Sequence, residues 1–237
     1  NLDQLFRDDI EKFIEYNLVD VELVVGFEEK LEFIDLCRGI AHAGHVPYED
    51  FVYSSKYLEG AMLTYLRRKG LVAPNKPADR RERMEALKES GSEKFIGAYV
   101  KAPIVGKYDW IYDLDLTSLY PSIIMTLNIS PEAKVGKIQD WDANKFVKGE
   151  VDTYLIGEDT ITKENLKKYL EQSKFSIASN GVLYRTDKVG CIPGILNLWF
   201  DKRVEYKNEM KKYGKAGNKQ KYAFFHKRQL VQKILLN

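Results

Sequence analysis

The sequence predicts an α+β fold, and three observations carry that prediction. Residues 110–116 alternate with a period of two, Trp110, Tyr112, Leu114 and Leu116 against Ile111, Asp113 and Asp115, which is the pattern of a β-strand. Long stretches on both sides of this segment keep helical spacing instead. Near the C-terminal end, two helical stretches are separated only by Gly214-Lys215-Ala216-Gly217-Asn218. A turn that short makes them an antiparallel helical hairpin.

Taken in chain order, residues 8–42 read as helical, with Phe13, Ile14, Leu18, Val21, Val24, Val25, Leu31, Ile34 and Leu36 supplying the apolar positions. Gly39, Gly44 and Pro47 mark a break, and His42 and His45 fall in the turn before Pro47 with no acidic or cysteine partner at ligand spacing. A helix follows from about Ser54 to Lys69, with Ser54 or Ser55 as N-cap. Residues 70–94 are polar, contain Pro74, Pro77 and the charge cluster Arg80, Arg81, Glu82 and Arg83, and read as an exposed connector. After the strand, Pro121 suits the first turn of a helix through Ile123, Ile124 and Leu127. Residues 135–172 read as an irregular insertion of strand and helix. Asn180-Gly181 between apolar flanks predicts a hairpin with a type I′ turn over Phe175–Tyr184. The two helices of the C-terminal hairpin run from Pro193 to Tyr213 and from about Lys219 onward.

Composition narrows the function classes. No apolar run approaches the roughly 20 residues of a membrane helix, so no membrane partner is expected. Cys37 and Cys191 are the only cysteines, which argues against a disulfide scaffold or zinc site and fits a reducing cytoplasm. The net charge of +2 conceals an asymmetry: residues 198–237 hold eleven lysines and arginines against three acids. Such an excess suits a phosphate-rich partner, although a solvated helical face has the same composition.

The segment Asp115-Leu116-Thr117-Ser118-Leu119-Tyr120-Pro121-Ser122 carries the chemistry. A carboxylate at a strand end is followed at once by a helix N-terminus, whose free N–H groups attract anions. The two are compatible when a divalent cation lies between the carboxylate and a bound phosphate. The plain alternative is that Asp115 caps the turn or ends the strand. Arg203 and Lys207, four residues apart, project from one helix face, and the antiparallel turn brings Lys233 toward them.

These residues resemble a known family. Asp-Leu-Thr-Ser-Leu-Tyr-Pro-Ser-Ile-Ile from Asp115 is similar to motif A of the family B (alpha-like) DNA polymerases. Asn128-Ile129-Ser130-Pro131-Glu132 most resembles the replicative enzymes of T-even-type phages, and Gly97-Ala-Tyr-Val-Lys-Ala-Pro103 resembles the segment those enzymes place before this strand. The resemblance implies that Asp115 binds both catalytic magnesium ions, with the backbone carbonyl of Leu116 reaching one. Asp113, on the same strand face, is the rival ligand, and the register against Ser-Leu-Tyr-Pro favours Asp115. Ser118, Leu119 and Tyr120 would line the incoming dNTP, and Tyr120 would lie under the sugar as a gate against a 2′-hydroxyl. The bland reading of Tyr120 is a core tyrosine ahead of a helix. Asp201–Lys207 resembles the first fingers helix, whose Arg203 and Lys207 would grip the triphosphate. Lys233-Ile-Leu-Leu-Asn237 resembles the start of motif B, Lys-x-x-x-Asn-Ser-x-Tyr-Gly. Lys233 would bind the triphosphate and protonate the departing pyrophosphate, and Asn237 belongs to the same nucleotide-binding set. Tyr16-Asn-Leu-Val-Asp20 resembles the third exonuclease motif, in which Tyr16 would position the attacking water and Asp20 would bind metal.

The resemblance implies a partial right-hand fold. Residues 1–40 would finish an exonuclease-like domain, 41–95 would connect, 96–190 would give part of the palm with an insertion, and 191–237 would form the fingers. The family's Asp-Thr-Asp of motif C does not occur, nor do the earlier exonuclease motifs or the thumb. The expected activity is template-directed addition of dNTPs to primer-template DNA by two-metal phosphoryl transfer. A second polypeptide or further segment would supply motif C, and the isolated chain would be inactive. The chain begins at Asn1 and stops at Asn237, inside helical pattern at both ends, and the junction at Asn237 resembles an intein insertion site. It reads as a piece cut from something larger, either at an arbitrary boundary or by processing, or as the N-terminal part of a split or intein-interrupted polymerase. The alternative is a non-catalytic DNA-binding or assembly protein derived from one.

Overall fold

The computed structural model describes residues 2–75, 100–157 and 159–237. The Arg80–Arg83 cluster and Gly97-Ala98-Tyr99 lie outside the described residues. The chain opens with α1 (Leu2–Asp8) and α2 (Ile10–Leu31). Asp9 caps α2 by accepting a hydrogen bond from the Lys12 N–H at 3.0 Å. The sequence predicts one helix over 8–42, but the chain breaks at Glu32, whose φ of 52° puts it in the left-handed region. The break is held by Glu28. Its backbone carbonyl accepts from the Glu32 N–H, and its carboxylate accepts from the Ile34 N–H at 3.1 Å, covering a free donor of the next helix. No glycine or proline marks this corner, which is why the hydrophobic pattern runs through it. Most apolar side chains of α2, Leu18, Val21, Val24 and Val25 among them, are exposed.

Helix α3 (Phe33–Gly44) leads through a 3₁₀ turn (Tyr48–Val52) into α4 (Ser54–Arg68). The expected N-cap at Ser54 or Ser55 is not used: Tyr53 holds the cap position, and its carbonyl accepts from the Lys56 N–H. The 3₁₀ turn delivers the chain directly into the helix, so no hydroxyl cap is needed. α3 and α4 cross where Gly44 meets Gly60. A Cβ on Gly60 would strike the Gly44 carbonyl oxygen and lie 2.8 Å from Val46 Cγ1, so only glycine permits this approach.

The predicted strand over residues 110–116 does not form. The segment has no regular secondary structure and no strand partner, Trp110 has a φ of 60°, and Trp110, Tyr112 and Leu114 are 92%, 88% and 91% exposed. The alternation needs a partner strand to bury one face, and none of the described residues supplies one. Helix α5 (Leu119–Leu127) follows, with Pro121 buried in its first turn as expected.

The insertion forms β1 (Lys134–Lys137), α6 (Ala143–Lys148), β2 (Thr153–Ile156), β3 (Asp159–Thr162) and α7 (Lys163–Ser173). β4 (Phe175–Ile177) and β5 (Val182–Arg185) then complete a three-stranded antiparallel sheet in the order β1-β5-β4, while β2 and β3 pair separately. The β4–β5 hairpin is present, but its turn is not type I′. Only Gly181, at φ 82°, is left-handed; the Gly181 N–H donates to Ala178 and the Ala178 N–H to Val182, so three residues form the loop.

The chain ends in α8 (Cys191–Lys215) and α9 (Lys219–Leu236), joined through Gly217 at φ 69°. Contacts of Tyr213 with Phe225 (ring centroids 5.6 Å apart, stacked) and of Arg228 with Tyr206 show the antiparallel register. Two cores result. One joins Ile40, Tyr57 and Ala61 to Ile195, Trp199, Val231 and Leu235 across α3, α4, α8 and α9. The other, inside the insertion, gathers Ile138, Tyr154, Ile161, Leu166 and Leu183. No described helix is long and apolar enough to cross a membrane.

Candidate functional site

Ser118, at φ 50°, turns the irregular segment before it into α5. Its carbonyl accepts from the Ser122 N–H at 2.9 Å, and the Ser122 hydroxyl donates to Thr117 at 3.2 Å. The turn leaves the N–H groups of Leu119 and Tyr120 without intrahelical acceptors, the arrangement that favours an anion. Both side chains are exposed, so Tyr120 is not a core tyrosine in this structure.

Arg203 of α8 reaches this turn. Its Nη1 donates to Ser118 Oγ at 3.3 Å, across 85 residues of sequence. Its Nε is buried with no acceptor, so a cationic donor is left over beside an anion-seeking helix start. α5 also packs along α8, which keeps the two together. Lys207 is exposed one helical turn further along α8. Lys233 is exposed on α9 and Asn237 follows its end. Among the described residues no hydrogen bond or ion pair ties Lys207 or Lys233 to Arg203. Asp115, Leu116 and Asp113 lie exposed on the irregular segment just upstream.

Three residues that sequence reasoning did not single out individually lock this arrangement. Asn128, buried at the end of α5, donates through Nδ2 to the carbonyls of Arg185 (2.6 Å) and Lys188 (2.9 Å), and its Oδ1 accepts from the Gly190 N–H at 2.8 Å. Ser130 Oγ donates to Glu132 at 2.8 Å and accepts from the Ile192 N–H at 3.3 Å. The Glu132 carboxylate accepts from the Cys191 N–H, at the first residue of α8, where the helix dipole favours negative charge. Burial, the largest influence, pushes the Glu132 carboxyl up, but hydrogen bonds from the Cys191 and Glu132 N–H groups and the Ser130 hydroxyl together hold it below its ordinary value. The visible signal was the polar run Asn128-Ile-Ser-Pro-Glu132 after an apolar helix. The network fixes the start of α8 to the end of α5, and so places Arg203.

Tyr16 and Asp20 share one face of α2, four residues apart, and the Asp20 carboxylate raises the Tyr16 phenol above its ordinary value. No hydrogen bond or ion pair among the described residues connects them with the Ser118–Arg203 turn.

The donor set for magnesium is partial. Among the described residues no three His, Cys, Asp or Glu side chains gather at metal-binding spacing. Asp115 and the Leu116 carbonyl offer two or three oxygens, where magnesium takes about six in an octahedron. These residues fit a share of a magnesium site and do not form one alone.

The model of the family described as DNA polymerase family B matches residues 52–237. The DNA-directed DNA polymerase of Escherichia phage RB69 is 24% identical over 209 residues, covering 88% of this chain and 20% of that protein. The corresponding enzyme of Enterobacteria phage T4 is 26% identical over 209 residues, with the same shares covered. DNA polymerase 1 of Pyrococcus abyssi is 31% identical over 205 residues, covering 85% of this chain and 21% of that protein. The chain thus spans about a fifth of the length of these relatives. Among solved structures, the family B DNA polymerase of the archaeon Pyrobaculum calidifontis superposes with a TM-score of 0.63 at 22% identity, covering 98% of this chain and 26% of that one. That likeness speaks to the fold.

Proposed function

The chain belongs to DNA polymerase family B, and from this premise we propose that it is the segment of a DNA-directed DNA polymerase that receives the incoming deoxynucleotide. The observation that carries the proposal is the Arg203–Ser118 contact. It sets a guanidinium with a spare buried donor against a helix start that follows Asp115 closely in sequence.

In this reading the triphosphate lies at the first turn of α5, accepting from the N–H groups of Leu119 and Tyr120, with Ser118 at its edge. Arg203 neutralises it from α8, and Lys207 and Lys233 approach from the hairpin as α8 and α9 move onto the nucleotide. Charge spread over the transferred phosphoryl oxygens is stabilised by such cations held in place before reaction. Lys233 is then placed to give a proton to the leaving pyrophosphate, and Asn237 contacts the nucleotide beside it. Tyr120 lies under the sugar and excludes a 2′-hydroxyl. Asp115 and the Leu116 carbonyl contribute this chain's share of the magnesium donors. The other carboxylates come from a segment carrying motif C, so the described residues alone do not polymerise. Residues 96–190 serve as part of the palm and 191–237 as the fingers, with 41–95 connecting them to the end of an exonuclease-like domain at 1–40, where Tyr16 and Asp20 belong to the proofreading site.

The test supplies a complementary polypeptide bearing motif C and the thumb, and measures primer extension. Wild type extends, and Asp115→Asn lowers the rate by about 10³-fold or more, the scale on which removal of a central electrostatic contributor acts. An extension rate indifferent to Asp115→Asn would leave a DNA-binding or assembly role as the better account.

A further inference from the structure

Between α3, α4, α8 and α9 runs a cleft of about 940 Å³, large enough for a small-molecule ligand. It is separate from the Ser118–Arg203 turn. Lys202 lines it, whereas Arg203 projects roughly 100° further round α8.

Three features of the cleft demand complementary groups. The first is charge. The acids at one end are already satisfied: Lys227 pairs with Glu32 at 2.9 Å and with Asp35 at 3.1 Å, and Arg38 pairs with Asp35 at 3.3 Å. At the other end His42, His45, Arg68 and Lys202 gather. Burial first, then the charges of Arg68, His42 and Lys202, lower the His45 imidazole, so each of the three stands within electrostatic reach of His45. Arg68 and Lys202 make no ion pair among the described residues, so this end holds uncompensated positive charge.

The second feature is an amide. Gln232, only 7% exposed, lines the cleft, and its Oε1 has no donor. Buried polar atoms are almost always paired; this oxygen is itself solvent-inaccessible, so a ligand donor meets it once the amide rotates toward the cleft. The third is a flat cationic-aromatic wall: the Arg228 guanidinium sits 4.3 Å from the Phe224 ring centroid and 6.0 Å from that of Tyr206. A ligand meeting all three brings an anion, an N–H donor and a planar ring. A bare anion meets only the first.

We propose that this cleft is a second nucleotide site, separate from the α5 turn, which binds a nucleoside phosphate with its phosphate toward Arg68 and Lys202, a base N–H on Gln232 and the base face against Phe224 and Arg228. Free nucleotides and single-stranded DNA share this chemistry. The proposal stands without the polymerase reading, and its failure leaves the Asp115 test untouched.

The experiment measures fluorescence anisotropy of a fluorescein-labelled octadeoxyadenylate with the whole chain, and emission of Trp199, which lines the cleft, during titration with AMP. Arg68→Ala/Lys202→Ala weakens binding at least tenfold and Gln232→Leu about threefold. Lys211→Ala/Lys215→Ala, an equal charge change at the hairpin tip, stays within twofold. AMP acting alone identifies a free nucleotide as the ligand, and octamer binding without AMP binding identifies a strand; either supports the site. Equal losses in the two double variants, competition by inorganic phosphate as effective as that by AMP, or binding by neither probe would overturn it.

Discussion

At residue scale the informative side chains are those that join distant parts of the chain. Asn128 stands in the left-handed region at φ 55°, where asparagine is tolerated better than other non-glycine residues, and satisfies two carbonyls and one N–H from the 185–190 loop. Asn128→Ala leaves those buried groups without partners and strains the backbone, so a loss of about 3 kcal/mol is expected, read from urea unfolding with the midpoint lowered and the slope unchanged. Glu132 gives a pH signature. Its folded carboxyl lies below its ordinary value of 4.5, so its contribution is complete above that value and disappears as pH falls through the lower folded value. Acid titration of thermal stability should therefore steepen below about pH 4.5 in the wild type, and Glu132→Gln should remove that component while lowering stability at pH 7. Identical acid profiles for the two proteins would contradict the capping role. Arg203 is singled out in the sequence by its resemblance and its four-residue spacing from Lys207, but its orphaned Nε follows from burial that no local pattern encodes.

At the scale of elements, the α3–α4 crossing decides between two opposite expectations. Helix propensity alone says that Gly60→Ala should stabilise by about 1 kcal/mol. The added Cβ meets backbone atoms of Gly44 and His45, which cannot rotate away, so the net effect should be a loss of about 1–3 kcal/mol. Calorimetry of that single variant separates the two by sign. The same logic explains which elements could be read in advance. The α8–α9 hairpin was legible because Gly217 and a short polar turn interrupt two strong helical patterns. The corner at Glu32 was not, because a carboxylate six residues from Ile34 stabilises it and no turn residue announces it. The strand over 110–116 was over-read, since a period of two records a face to be buried and not the neighbour that buries it. Ser54 was a plausible cap made redundant by the preceding 3₁₀ turn.

At the scale of the whole molecule the two cores are separate clusters, joined mainly through the Asn128 network and the strands around β5. Leu166, 2% exposed, belongs only to the insertion core. Leu166→Ala should cost about 3 kcal/mol and should show in hydrogen exchange as lost protection in β2 and β3, with α8 and α9 retained. Equal losses everywhere would mean one cooperative unit. The cleft beside α8 is not legible in the sequence, because its walls come from two helix pairs far apart along the chain. Of the three tryptophans, Trp110 is almost fully solvated while Trp199 is packed in the hairpin core. The indole of Trp110 should therefore emit at long wavelength and be readily quenched by iodide. Docking of a strand on residues 110–116 should move that emission to the blue, which would give an optical readout five residues from the Asp115 carboxylate.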